Sequence, residues 1–278
     1  MSAPRGTAVI REAFATARAE GRAALIPYIT LGYPTPERSF ALAEAAIEGG
    51  ADLLELGIPF SDPLADGPVI QRATQGALAA GTTVRVCLEL AARLRRRHPW
   101  IPLLFMGYLN PLLAFGERAF CRACRKAGVD GLIIPDLPPD EAEEIEARCR
   151  DEDLATVYLA APNTPEERLR MVCARSSSYV YLVSLTGTTG PRAKIPEGLP
   201  EFVARVRGLT GKPVAIGFGI ATADQAAAAA RIADGVIVGS AVVNRCDGGQ
   251  CEERVRAFVA DLRAAVGRDS LRAEEYRG

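Results

Sequence analysis

Eight short apolar runs, each separated from the next by a longer stretch of helical pattern, most limit what this chain can fold into. They are ALIPYIT (24–30), DLLEL (52–56), PLLFMGY (102–108), GLIIP (131–135), TVYLA (156–160), YVYLVS (179–184), PVAIGF (213–218) and GVIVG (235–239). Most are unbroken rather than alternating, the pattern of strands covered on both faces in a parallel sheet. GGADLLELG (49–57), AGVDGLIIPD (127–136) and IADGVIVGS (232–240) share one plan: a helix closes, an Asp stands just before a strand, and an apolar run follows. Eight such units in 278 residues favour a closed (β/α)8 TIM barrel of the α/β class over an open sheet, and no linker divides residues 1–278 into more than one domain. Extra helices are expected before the first strand (AVIREAFATARAEG) and between the second and third, where VIQRATQGALAAG and RVCLELAARLRRR both fit. Thr35 before Pro36, Thr164 with Glu167, Asp140 with Glu143 and Thr222 with Gln225 read as helix N-caps.

Charge and composition exclude several function classes. Thirty-three Lys and Arg balance 34 Asp and Glu, so no overall basic excess is available to grip nucleic acid or an anionic membrane. No apolar run approaches the ~18 residues of a membrane span, and the N-terminus lacks the apolar core of a secretory signal, so a cytoplasmic location is expected. Seven scattered cysteines then read as free thiols. Cys121 and Cys124 form one CxxC on a helical stretch with no second pair or nearby His, so they read as packing rather than a metal site. A loop disulfide between Cys246 and Cys251 is not expected. His98, the sole histidine, closes an arginine-rich helix end far from other reactive groups. Its arginine neighbours read as a solvated end favoured by the helix dipole. Proton transfer therefore falls to carboxylates.

One carboxylate stands out. LELGIPFSDPLADGP (54–68) places Glu55 inside a buried strand and follows it with Asp62 and Asp66 on a proline-rich loop. An unpaired buried carboxylate costs several kcal/mol, so the group neutralises, finds a partner or has a task. Two readings stand for Glu55: a satisfied acid paired with a barrel cation, or a general acid/base whose pKa is raised by burial. Asp66, on a Gly/Pro-bounded loop, is expected to stay ionised, and two carboxyls in different surroundings make an acid/base pair. In such barrels the site forms at the C-terminal strand ends. Those ends offer Tyr108 and Asn110, then Asp136, then Tyr181. Gly217, Phe218 and Gly219 of GFGI follow, with Gly239 and Ser240 after the last strand. The glycines either let backbone N–H groups approach a phosphate or only make tight turns. SLTGTTGPRAKIPEG (184–198) is either a closing lid or a surface connection.

These segments resemble the tryptophan synthase alpha chain family. LIPYITLGYP, LELGIPFSDPLADGP, FMGYLNPL, YLVSLTGTTG, PVAIGFGI and VIVGSAVV occur in the family's order, from about Val9 to the last helix. The resemblance implies a lyase that cleaves indole-3-glycerol phosphate to indole and glyceraldehyde 3-phosphate. It implies Glu55 as catalytic acid/base, Asp66 as the carboxylate facing the indole N–H, and Tyr181 beside the glutamate. Tyr28, Tyr108 and Ile133 match the wall around the indole ring. Thr189 matches a loop threonine that ties the lid to Asp66, and Gly190, Gly219, Gly239 and Ser240 match a phosphate cradle. Leu185 and the turn NRCDGGQCEERV depart from the pattern without touching Glu55 or Asp66. No cofactor or metal is expected in this chain. The partner is a pyridoxal-phosphate-dependent beta chain in an alpha2-beta2 heterotetramer, with Pro63, Asn110 and Pro138 on the docking rim. A stand-alone indole-3-glycerol phosphate lyase and a mainly allosteric subunit remain as alternatives.

Overall fold

The computed structural model describes residues 5–183, 197–217 and 219–267. Among the described residues nine strands run in one parallel sheet: β1 (Ala24–Thr30), β2 (Leu54–Gly57), β3 (Leu103–Met106), β4 (Gly131–Ile133), β5 (Ala155–Val157), β6 (Leu159–Ala160), β7 (Val180–Val183), β8 (Val214–Gly217) and β9 (Gly235–Val238). Among the same residues twelve α-helices surround them: α1 (Thr7–Ala19), α2 (Pro36–Glu48), α3 (Pro68–Ala79), α4 (Val84–Arg97), α5 (Leu109–Phe115), α6 (Glu117–Ala127), α7 (Glu143–Asp151), α8 (Glu166–Arg175), α9 (Leu199–Arg207), α10 (Ala223–Ile232), α11 (Ser240–Val243) and α12 (Cys251–Ala265).

The expected TIM barrel is present, with one run divided. The order is β5-β4-β3-β2-β1-β9-β8-β7-β6. β5 pairs with β4 and β6 pairs with β7, so the single segment 155–160 is both ends of the sheet and closes the ring. The switch falls at Tyr158: its N–H donates to Ser176 Oγ (3.2 Å), while its carbonyl accepts the N–H of Tyr181 (3.1 Å). The expected extra helices are α1, and α3 with α4.

Side chains divide into two layers, as period-2 strands dictate. Those facing outward pack under the helices. Those facing inward, among them Ile26, Leu104, Ile133, Val157, Ala215 and Ile237, fill the barrel. Helix α1 plugs the N-terminal end with Ile10 and Phe14, and the Phe14 ring lies 5.3 Å from that of Tyr179.

The repeated Asp before a strand has a physical explanation. Asp52 accepts the N–H of Leu25 (2.8 Å), Asp130 that of Leu103 (3.0 Å) and Asp234 that of Val214 (3.0 Å). Each carboxylate thus satisfies an N–H at the start of a neighbouring strand, a charge-assisted bond worth about 1.5–3 kcal/mol. Asp130 is fully buried between Arg95 (2.6 Å) and Arg5 (3.1 Å). Arg95 therefore corrects the reading of that helix end: it turns inward to a buried carboxylate instead of into solvent.

Two of the four cap readings hold. Thr35 caps α2 ahead of Pro36, and Thr222 with Gln225 forms a capping box on α10. Thr164 does not cap α8; its hydroxyl accepts the N–H of Ala161 (2.9 Å), and extended Pro165 precedes the first helical residue, Glu166. Asp140 sits within the 3₁₀ turn Pro139–Glu141 and pairs with Arg168 (3.0 Å), while α7 begins at Glu143 without a side-chain cap. All seven cysteines are buried free thiols, and His98 Nε2 lies 3.1 Å from Glu44.

Candidate active site

Glu55 points into the barrel because of its register. It pairs with Tyr28 on β1 and Leu104 on β3, and paired residues of parallel strands share a face. Its side chain is 0% exposed. Oε1 accepts a hydrogen bond from Tyr179 Oη (3.3 Å), and Oε2 has no hydrogen-bond partner among the described residues. Among the described residues no cation pairs with it, so none of them makes it a satisfied acid. Burial pushes its pKa to about 8, with the Tyr179 bond pulling modestly the other way. At neutral pH the carboxyl holds its proton and can donate it.

Asp66 is half-buried in the loop after β2, less exposed than its sequence context implies. Burial raises its pKa to about 6, against a hydrogen bond from Tyr108 that favours the charged form. The loop is fastened by the Asp66 N–H to Pro63 carbonyl bond (3.0 Å) and by Gln71 Nε2 donating to the Asp66 carbonyl (2.8 Å). Tyr108 Oη also accepts the N–H of Ala65 (2.9 Å). The two carboxyls thus differ by about 2 pH units, one mostly neutral and one mostly ionised at pH 7.

Tyrosines link the pair. The hydroxyls of Tyr28 and Tyr181 are both buried, and each is held neutral by burial and by the charges of both Glu55 and Asp66. Both carboxyls therefore act on one interior mouth. Tyr179, which the sequence reading passed over, makes the direct bond to Glu55. The alternation of YVYLVS puts Tyr179 and Tyr181 on the same face, which was the available signal.

Glycines make room for these rings. A Cβ on Gly57 would lie 1.9 Å from Tyr28 Oη, and one on Gly217 would lie 2.8 Å from Tyr181 Oη. Gly217 thus admits a tyrosine at the end of β8. Gly219 has φ +83° and open space where a Cβ would stand. Gly239 precedes Ser240, the first residue of α11, and a Cβ added to it would lie 3.7 Å from Tyr28 Cβ. Ile133 lies inside the barrel at the end of β4. Thr189, Gly190 and Phe218 lie outside the described residues, as do Leu185 and most of the 184–198 loop.

The rim holds a cleft of about 420 Å³ lined by Phe60, Asp62, Leu64, Ala65, Tyr108, Asn110 and Asp136. Leu64 is 93% exposed, whereas Pro63, expected on this surface, is buried. Asn110 is exposed and Pro138 half-buried. Asp136 accepts the N–H of Leu109 (3.0 Å) at the start of α5. Among the described residues no group of three or more His, Cys, Asp or Glu could hold a metal ion, and no helix is long and apolar enough to cross a membrane.

Comparison with known proteins gives one answer. Residues 14–268 match the family model described as tryptophan synthase alpha chain. A relative of that name from Roseiflexus sp. (strain RS-1) is 47% identical over 257 residues, covering 91% of this chain and 98% of that one. Another, from Dehalococcoides mccartyi, is 46% identical over 245 residues, covering 88% of this chain and 96% of that one. The solved structure of Mycobacterium tuberculosis tryptophan synthase superposes with a TM-score of 0.87 at 40% identity, covering 93% of this chain and 98% of that one. With the family model matching residues 14–268 and these relatives covering nearly all of it, the chain belongs to the tryptophan synthase alpha chain family.

Proposed function

We propose that this chain cleaves indole-3-glycerol phosphate to indole and glyceraldehyde 3-phosphate, as a carbon–carbon lyase. The observation that carries the reading is the fully buried Glu55 carboxyl, whose pKa burial raises to about 8 and whose Oε2 has no hydrogen-bond partner among the described residues. Glu55 gives its proton to indole C3, leaving positive charge centred at N1. The Asp66 carboxylate accepts the N1–H and stabilises that charge. Ionised Glu55 then takes the proton of the side-chain hydroxyl as the C3–carbon bond breaks. The electron pair of that bond restores the aromatic ring, the oxygen becomes the aldehyde, and Glu55 regains its starting state. One carboxyl near neutrality serves both steps, which is where general acid/base catalysis is most effective. Tyr28, Tyr108, Ile133 and Tyr181 would wall the indole. Gly219, Gly239 and Ser240, with Gly190, would hold the phosphate through backbone N–H groups, and Thr189 would tie the covering loop to Asp66.

In the same reading the whole chain is one domain without its own cofactor, and it docks on a pyridoxal-phosphate-dependent beta chain as an alpha2-beta2 assembly. The exposed Leu64 on the largely apolar rim cleft supports a docking surface there. The test is indole release from indole-3-glycerol phosphate by the parent, Glu55→Gln and Asp66→Asn proteins, with and without a beta chain. Glu55→Gln should abolish indole formation and keep a native circular dichroism spectrum. Parent-like turnover by that variant removes Glu55 from the chemistry.

A further inference from the structure

The seven cysteines are not equally placed. Cys121 on α6 and Cys149 on α7 face each other with Sγ atoms 4.0 Å apart, both within 1% of complete burial. A disulfide needs about 2.05 Å between sulfurs, so about 2 Å of approach by side-chain rotation separates the dithiol from a bridge. A cleft of about 270 Å³ leads to the pair, lined by Arg118, Cys121, Arg122, Arg148, Asp151 and Glu152. Arg122 pairs with Glu152 (3.5 Å) and Arg148 with Glu144 (3.2 Å), and Arg118, in no ion pair among the described residues, is the cation that mouth offers an anionic reagent. Helix α7 is 9 residues long and starts without a side-chain cap, so its local opening costs less than global unfolding.

We propose that Cys121 and Cys149 form a dithiol site that closes to a disulfide by exchange with an anionic low-molecular-weight disulfide such as oxidised glutathione, tying α6 to α7. Cys121 lines the cleft and Cys149 does not, so Cys121 is the attacking thiol; the contact with Cys149 also holds its thiol below the ordinary value. The same contact, with burial, holds the Cys149 thiol up, which makes it the resolving partner. Cys121 attacks one sulfur of oxidised glutathione and expels a glutathione thiolate, which takes the Cys149 proton. Cys149 then attacks Cys121 Sγ of the mixed disulfide and releases the second glutathione. Two protein thiols are oxidised to one disulfide, and one small disulfide is reduced to two thiols. The bridge encloses residues 122–148, which include β4 with Ile133 and the rim segment around Asp136. The site thus lies on the outer helices beneath that rim, and it stands independently of the proposed reaction.

The test uses the full chain, exposed to oxidised glutathione under native conditions, then denatured and alkylated. Of the seven cysteines, the bridged two should escape, leaving five alkylated. Trypsin separates the candidates, because Arg122 lies between Cys121 and Cys124. The expected linked species joins Ala119–Arg122 to Cys149–Arg150. Cys124→Ala should bridge as the parent does, and Cys149→Ala should stop with one glutathione held on Cys121. A bridge through Cys124, a mixed disulfide that persists in the parent, or seven alkylated thiols after exposure overturns the proposal.

Discussion

Replacing Glu55 by Gln should make the protein's stability less dependent on pH. The parent carboxyl has an ordinary value of 4.5 and lies at about 8 in the fold, because burial penalises its charged form. Below pH 4.5 it is protonated whether the chain is folded or not, and its neutral form is fully tolerated. Between about 4.5 and 8 the unfolded chain ionises while the folded chain does not. Unfolding then releases a proton, and stability falls by about 1.4 kcal/mol per pH unit. Above 8 the folded carboxyl ionises too and the loss levels off near 5 kcal/mol, an order-of-magnitude figure for a fully buried group. Glutamine keeps the shape and cannot ionise. The stability of Glu55→Gln minus that of the parent should rise by about 3 kcal/mol between pH 6 and pH 9, read from urea unfolding at four pH values in that window. Asp66, raised to about 6, and the Cys87 and Cys246 thiols, raised to about 12, titrate in both proteins and largely cancel in the difference. A difference that stays flat within about 0.5 kcal/mol across the window would refute a buried neutral Glu55.

Other substitutions probe the same frame. Tyr179→Phe removes the bond that favours ionised Glu55, so the high-pH fall in kcat should move above the parent's limb near pH 8, as a pH–rate profile would show. Asp130→Ala leaves Arg95 without its carboxylate and the Leu103 N–H unsatisfied; a loss of about 3–5 kcal/mol in denaturant unfolding is expected. Gly57→Ala drives a methyl into the Tyr28 hydroxyl, lowering stability by about 1–3 kcal/mol and kcat/KM with it; unchanged values would show that Tyr28 is not confined. Leu64→Glu should weaken capture by a beta chain in a pull-down while the solo indole rate stays at the parent's level.

What was legible in the sequence was whatever one strand or one helix decides alone. Glu55 was visible because an acid inside an apolar run is an anomaly wherever the run packs, and the runs themselves specified a barrel through their number and spacing. Interactions between strands were less accessible. The Asp repeat could be seen, but the acceptor role of Asp52, Asp130 and Asp234 toward a neighbouring strand appears only once strands are aligned. Alternation placed Tyr179 and Tyr181 on one face; which of them reaches Glu55 depends on the stagger between β2 and β7 across the barrel, a property of the closed ring rather than of either segment. Local patterns also lost to neighbouring chemistry. Thr164 and Asp140 fit a capping template, yet Pro165 holds an extended backbone before α8, and Pro139 begins a 3₁₀ turn that takes Asp140 inside it. On the rim, proline marked the loop correctly but buried itself, leaving Leu64 outside. An isolated exposed leucine has no signature along the chain, since apolar residues in loops usually find cover. Its exposure here follows from a loop held by Asp66, Gln71 and Tyr108 on its inner side, where the same bonds that place a carboxylate at the barrel mouth leave the next apolar side chain facing outward. In the proposed function, catalytic placement and a partner-facing surface are two consequences of one fastened loop, so substitutions that loosen it, such as Gln71→Ala, should reduce both indole formation and beta-chain capture together.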